Sequence, residues 1–326
     1  MSFFLNILSI FLLMSAGWVL RRRKLVDDVF TLRLSFVLIN VFYPCLLLNA
    51  ILSRFTLETL LANWPMPVGL FLIKLTGWLI GAGYLKFFGG RMSPSAAANG
   101  DVRPPLDATR RTFHFVCSVN NYSFLPIMLA KPLWGDDAVA LIAFGVLGAE
   151  IFVWTLGIRT LSGHTDLRHL LSTPMVALFI AFSLLLLHYL LPFEALPEPF
   201  IASGNMLLST CRMAGEATIP VSAFICGARI GGINIHHNLT PPAWIFTALR
   251  LALIPAVCVA IIWFLPLDGL VRTVLMLIAV QPAAMASVSM SEVYRGDPDF
   301  AATAVFLSHI LCLATIPLWM MFLLQS

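Results

Sequence analysis

The residues of this sequence that could do chemistry are few, and they lie inside apolar stretches. One stretch reads FHFVCSVNNYSFLPIMLA, with adjacent amides at Asn120 and Asn121, then Tyr122 and Ser123, then Pro126. Another reads LMLIAVQPAAMASVSMSEVY, with Gln281 and Pro282 at its middle and Ser287, Ser289 and Ser291 beyond them. Proline has no N–H and obstructs the carbonyl four residues back, so helix breaks are expected at Pro126 and Pro282. Irregular backbone at membrane depth persists only where protein or a water-filled cavity covers it, and paired interruptions of this kind mark binding sites in transporters. If the two breaks cross, amides and half-helix N-termini converge on one point, which suits an anionic group. If they do not cross, both are ordinary proline kinks with satisfied amides. The expected substrate-binding residues are therefore Asn120, Asn121, Ser123, Gln281 and Pro282.

Two cations, Lys74 and Arg250, also sit within apolar stretches. A charge there is costly in lipid and usually faces a cavity or a partner, so both join the expected binding set as sources of positive potential. Snorkelling to the interface is the other reading for each. Glu150, His309 and Glu216 are candidates for ion coupling, because each could carry a proton. Against that, Arg212 and Glu216 are spaced i, i+4 and can simply pair, and His309 can be hydrogen-bonded packing. The sequence has no H-E-x-x-H, no G-x-S-x-G and no carboxylate cluster, so no catalytic residue is expected. The six cysteines fall in apolar segments without C-x-x-C spacing, so neither a disulfide nor a metal site is expected.

The elements that must position these residues follow from composition. Hydrophobic residues make up 60% of the chain and charged residues 11%, against roughly a quarter charged in an average soluble domain. Lipid must be the solvent for that much apolar surface. The expected fold is an all-α integral membrane protein of about ten transmembrane helices, since apolar stretches of about 20 residues recur throughout. Punctuation by charge, proline and glycine places them near 3–20, 31–53, 65–85, 113–133, 138–158, 174–191, 200–228, 243–265, 270–292 and 300–324. The first lacks preceding basic residues and a cleavage site, and reads as a retained helix rather than a signal peptide. With the N-terminus outside, most basic residues fall in inner loops and only Arg54, Lys131 and Arg272 in outer ones. The positive-inside rule then places both termini outside, and residues 86–112 form a cytoplasmic loop.

An internal repeat is legible as well. At an offset of 176, Pro44 falls on Pro220, Asn40 on Glu216, Pro65 on Pro241 and Lys74 on Arg250. At 161, Asn120 falls on Gln281, Gly135 on Gly296 and Asp136 on Asp297. The whole chain, 1–326, is read as one transporter domain made of two five-helix repeats, 1–158 and 174–326. Because five is odd, the second copy enters the membrane inverted, giving a 5+5 inverted repeat with broken crossing helices 4 and 9.

The pieces VFYPCLLLNAIL, NNYSFLP, ATIPVSAFICGARI, LRLALIP and QPAAMASVSMSEVYRGDPDFAATAVFLSHILCLATIPLW resemble the auxin efflux carrier family of permeases, over most of the chain. The resemblance implies a fold similar to that of the bile-acid sodium symporters, with helices 1, 2, 6 and 7 as scaffold and 3–5 and 8–10 as transport domain. It implies a substrate site at Asn120, Asn121, Gln281 and Pro282, and it aligns Lys74 with a lysine of the plant carriers. Leu70 stands where those carriers place an acid, and Glu216 stands where a small or apolar residue is expected. Plant members export the auxin anion, and bacterial members include malate permeases. The short segment between helices 5 and 6 favours a bacterial-type permease of the cell inner membrane.

The expected function is transport of a small organic anion, auxin-like or a mono- or dicarboxylate, as a secondary transporter or uniporter. Alternating access, elevator-type, is the expected mechanism. No cofactor is expected, and coupling to H+ or Na+ is left open. Membrane lipid is the expected surrounding, a homodimer a candidate assembly, and nucleic acid is not a partner. The alternative is a membrane-embedded enzyme or a sensor, for which no catalytic motif or soluble signalling domain is found.

Overall fold

A computed structural model describes residues 2–89, 106–165, 171–191, 198–232 and 239–324, and nearly all of them are helical. In chain order the helices are α1 (Ser2–Arg22), α2 (Asp28–Val37), α3 (Tyr43–Arg54), α4 (Leu57–Ala62), α5 (Pro65–Phe88), α6 (Leu106–Ser118), α7 (Phe124–Phe152) and α8 (Ile158–Ser162). They continue as α9 (Thr173–Leu190), α10 (Glu198–Glu216), α11 (Thr218–Gly232), α12 (Pro241–Ala248), α13 (Ile254–Phe264), α14 (Gly269–Ala279), α15 (Ala286–Val293) and α16 (Pro298–Leu324). Three π-helical turns, Leu38–Phe42, Val153–Gly157 and Leu249–Leu253, join α2 to α3, α7 to α8 and α12 to α13. Among the described residues there is no β-strand, only an isolated antiparallel bridge between Asn120 and Ala283.

Among the described residues six helical stretches are long and apolar enough to cross a bilayer: Asp28–Arg54, Leu57–Phe88, Phe124–Ser162, Thr173–Leu190, Pro241–Phe264 and Pro298–Phe322. Several expected boundaries are corrected. Most of the expected loop 86–112 lies outside the described residues, but Lys86 still belongs to α5 and residues 106–112 to α6. The expected seventh helix divides at Ala217, because Pro220 removes the N–H that would bond the Glu216 carbonyl. Helix α4 was not foreseen; a reciprocal cap starts it, Thr56 Oγ1 accepting from the Thr59 N–H (3.2 Å) and Thr59 Oγ1 from the Thr56 N–H (2.8 Å). The expected fifth helix runs on through the π turn to Ser162, where Gly163 closes it in the left-handed conformation, φ 82°.

The chain forms two compact units. The first comprises Met1–Met66, Ile127–Leu147 and Leu170–Gly232. Its tightest packing joins α1 to α11. A Cβ at Gly227 would collide with the Met14 carbonyl, and one at Gly231 would lie 3.1 Å from the Trp18 carbonyl, so the G-x-x-x-G spacing lets two backbones touch. Gly135, also in this unit, has φ 73° and ψ −162°, a conformation only glycine adopts freely, and it divides α7 into two helical runs. Arg54 pairs with Asp136 (3.1 Å) and Asp137 (3.3 Å) just beyond that turn.

The second unit comprises Pro67–Pro126, Gly148–His169 and Ile233–Ser326. Phe113 of α6 anchors its core, 6.3 Å from the Phe246 ring and 6.1 Å from the Phe300 ring, centroid to centroid. Asp297 is fully buried; its carboxylate accepts from Thr109 Oγ1 (2.6 Å) and caps α16 through the Phe300 N–H (2.9 Å). The ends of α6 and α16 are thereby tied together by one satisfied carboxylate.

Candidate functional site

Within the second unit, two interrupted helices meet. Helix α6 stops at Ser118 and α7 begins at Phe124; α14 stops at Ala279 and α15 begins at Ala286. The first interruption is rich in Asn and Ser, whose side chains compete with helical hydrogen bonding and favour caps. The second holds Pro282, which denies an N–H to the helix and pushes Gln281 out of the helical region. Pro126 does not make the first break, contrary to the expectation. It is the third residue of α7, where its N–H would have had no partner, so it opens the second half-helix.

The two interruptions cross and bond. The Asn121 N–H donates to the Pro282 carbonyl (2.8 Å) and the Ala284 N–H to the Val119 carbonyl (3.0 Å). The Ala283 N–H donates to Ser308 Oγ of α16 (3.2 Å). Backbone freed by the breaks is therefore re-paired across the crossing, as burial requires.

The side chains divide into those that hold the crossing and those that leave capacity. Asn120 is fully buried; its Nδ2 donates to the Ile278 carbonyl (2.6 Å), and its Oδ1 accepts from Lys74 Nζ (3.1 Å). Asn121 Oδ1 accepts from the Leu125 N–H (3.3 Å), so this amide caps α7 rather than facing outward. Ser123 is buried at the cap position of α7 but makes no side-chain cap bond. Gln281 is fully buried; its Nε2 donates to the Leu277 carbonyl (2.9 Å), and its Oε1 has no partner. An orphaned buried acceptor is costly, and here it lies at the crossing itself.

The two cations, expected to play equivalent roles, have different partners. Arg250, fully buried, donates from Nη1 to the Cys117 carbonyl (3.3 Å) and from Nη2 to the Ala279 carbonyl (2.6 Å). It caps the C-terminal ends of both half-helices, where a cation also complements the helix dipoles. These two bonds give Arg250 a clamping position, while its Nε has no hydrogen-bond partner. Lys74 is buried as well, and among the described residues no carboxylate is in ion-pair contact with it. Its Nζ sits 3.9 Å from the centroid of the Tyr122 ring, in a cation–π arrangement.

Behind that ring lies a carboxylate held by two aromatic side chains. The Tyr122 hydroxyl donates to Glu150 Oε1 (2.5 Å), and Trp154 Nε1 donates to Glu150 Oε2 (2.7 Å). Tyr122 thus has Lys74 on its face and Glu150 at its tip. Trp154 went unnoticed because a tryptophan in an apolar run reads as packing or bilayer anchor; its i, i+4 spacing from Glu150 was the available signal. Of the other coupling candidates, His309 is buried in α16, its Nδ1 against the Val305 carbonyl (2.8 Å) and its Nε2 without a partner. Glu216 lies in the first unit, exposed and 3.3 Å from Arg212 Nε, the pairing that its i, i+4 spacing allows.

Discontinuous helices meeting at a buried site are the arrangement from which many secondary transporters build their binding sites. The profile of the family described as membrane transport protein matches residues 2–166 and again residues 158–320, and the chain belongs to that family, the auxin efflux carriers. No curated protein matches the chain.

Proposed function

We propose that this protein is a secondary transporter or uniporter for a small organic anion, a mono- or dicarboxylate or an auxin-like acid, bound at the crossing beside Lys74. One observation carries the reading: Lys74 Nζ is buried at the crossing on Asn120 Oδ1 and the Tyr122 ring, with no carboxylate in ion-pair contact among the described residues. Each helix end contributes about half an elementary charge, negative at C-termini and positive at N-termini. Arg250 offsets the two C-terminal ends. The N-terminal ends of α7 and α15, and the Lys74 ammonium, remain. Glu150 stands behind the Tyr122 ring, one residue removed from Lys74. Gln281 Oε1 offers an acceptor to a protonated or hydroxyl group of the same ligand.

Ten spans in a 5+5 inverted repeat fit this role. Three observations support that arrangement: the double match of the family profile, the two crossing breaks, and the helix starts at Pro65 and Pro241. Inverted repeats support alternating access, here of elevator type, in a bacterial inner membrane with both termini outside and with H+ or Na+ as coupling ion. The test is uptake into proteoliposomes with a panel of radiolabelled carboxylates. At least one is taken up, and Lys74→Gln raises its KM by about tenfold, the effect of losing one charge-assisted contact. Failure of every carboxylate, or an unchanged KM in Lys74→Gln, overturns the reading.

A further inference from the structure

The segment Pro241–Phe264 is not one regular helix, and its irregularity lies where Arg250 must be aimed. Pro255, the second residue of α13, has no N–H, so the Leu251 carbonyl four residues back loses its α-helical donor. The chain responds with the π turn Leu249–Leu253, in which the Ile254 N–H reaches back to the Leu249 carbonyl. Such a turn carries one residue more than an α turn and rotates its side chains relative to the rest of the helix. Arg250 lies in it, fully buried, with its guanidinium on the Cys117 and Ala279 carbonyls. Leu251 is 4% exposed. The donor that proline withholds comes from elsewhere: Trp319 Nε1 of α16 donates to the Leu251 carbonyl (3.0 Å).

We infer that Trp319 is a positioning residue for the crossing: by holding the Leu251 carbonyl it fixes the π turn that directs Arg250 onto both half-helix ends. It acts through Arg250, its indole N–H being held by the Leu251 carbonyl. The inference rests on the transport reading only for its meaning, since its test measures the crossing directly.

The test is hydrogen–deuterium exchange on the full-length purified protein without substrate, comparing wild type with Trp319→Phe, which keeps a ring and removes the N–H. Peptides spanning 117–124 and 279–286 contain the Asn121 and Ala284 amides that close the crossing. In Trp319→Phe both peptides exchange about tenfold faster, the effect of one lost hydrogen bond on a local opening. Pro255→Ala restores an N–H to the Leu251 carbonyl from within the helix. In that background Trp319→Phe changes exchange by less than about twofold. Unchanged exchange of both peptides in a monodisperse Trp319→Phe protein overturns the inference, as does an effect undiminished in the Pro255→Ala background. If Trp319→Phe does not fold, the double variant decides. Folding with wild-type protection supports the positioning role, and renewed failure assigns Trp319 to packing. Faster exchange alongside no uptake of any carboxylate sinks the transport reading alone.

Discussion

Asn120, Lys74 and Arg250 share near-complete burial but differ in what their removal exposes. Asn120→Leu deletes two side-chain hydrogen bonds, leaving Lys74 Nζ only the Tyr122 ring and the Ile278 carbonyl only the Gln281 N–H, and a stability loss of about 1–3 kcal/mol is expected, read as a lower melting temperature in detergent. Arg250→Gln uncovers two helix-end carbonyls and costs about 3 kcal/mol or more by the same measurement. Lys74→Gln spares stability by comparison and acts on substrate affinity; equal melting losses in both cation variants would return them to one shared role. Glu150→Gln removes a carboxylate held by Tyr122 and Trp154, and a flattened pH dependence of uptake is expected. His309→Gln, whose ring is tied to its own helix, leaves the pH profile in place. An unchanged profile in Glu150→Gln counts against proton handling at that carboxylate. Much of this residue set was legible in the sequence, because an amide or a cation inside an apolar run is conspicuous. The partners were not. Asn120 and Ile278 are far apart in the chain, and the contrast between Lys74 and Arg250 depends on which carbonyls the folded backbone presents.

At the scale of the element, the breaks were readable and their exact causes less so. Pro282 does interrupt its helix, whereas Pro126 and Pro220 both start one, each as the third residue, where a missing N–H costs nothing. Proline alone does not distinguish these cases; the Asn-Asn-Tyr-Ser run ahead of Pro126 was the better marker. The three π turns were invisible to periodicity, since an added residue shifts the apolar stripe by an amount that an all-round apolar helix does not register. Two of them, at Val153–Gly157 and Leu249–Leu253, carry Trp154 and Arg250, so the irregular turns hold the side chains that border the crossing. Contact between α1 and α11 gives a sharper element-level expectation. Gly227→Val drives a branched side chain into the Met14 carbonyl, and the yield of monodisperse protein falls at least about tenfold, as for an overpacked core site. Gly204→Ala, where nothing lies within 4 Å, leaves the yield unchanged. Equal yields for the two variants would mean that the α1–α11 contact is dispensable.

For the molecule as a whole, composition was sufficient to read lipid as the solvent, and the recurrence of Pro, Lys/Arg and Gly-Asp at two offsets was sufficient to read a duplication. The two compact units were not legible, because their boundaries at Met66, Pro126 and Leu147 fall inside helices rather than in loops. Alternating access makes a whole-molecule prediction. In a background with the partly exposed Cys45 and Cys211 replaced by serine, cysteines introduced at Ser123 and Ala284 become reachable by impermeant thiol reagents from each membrane side in turn. Reaction from a single side under every substrate and ion condition would exclude the mechanism at this site. One feature reaches further than any of these variants. The bonds that close the crossing, from the Asn121 N–H to the Pro282 carbonyl and from the Ala284 N–H to the Val119 carbonyl, belong to the main chain. Exchange of a side chain cannot delete a main-chain acceptor, and only proline deletes a main-chain donor. The frame of the site is therefore insulated from most point mutation. Descendants of one ancestral gene can exchange the side chains around it, and with them the cargo recognised, without having to rediscover the geometry that presents it.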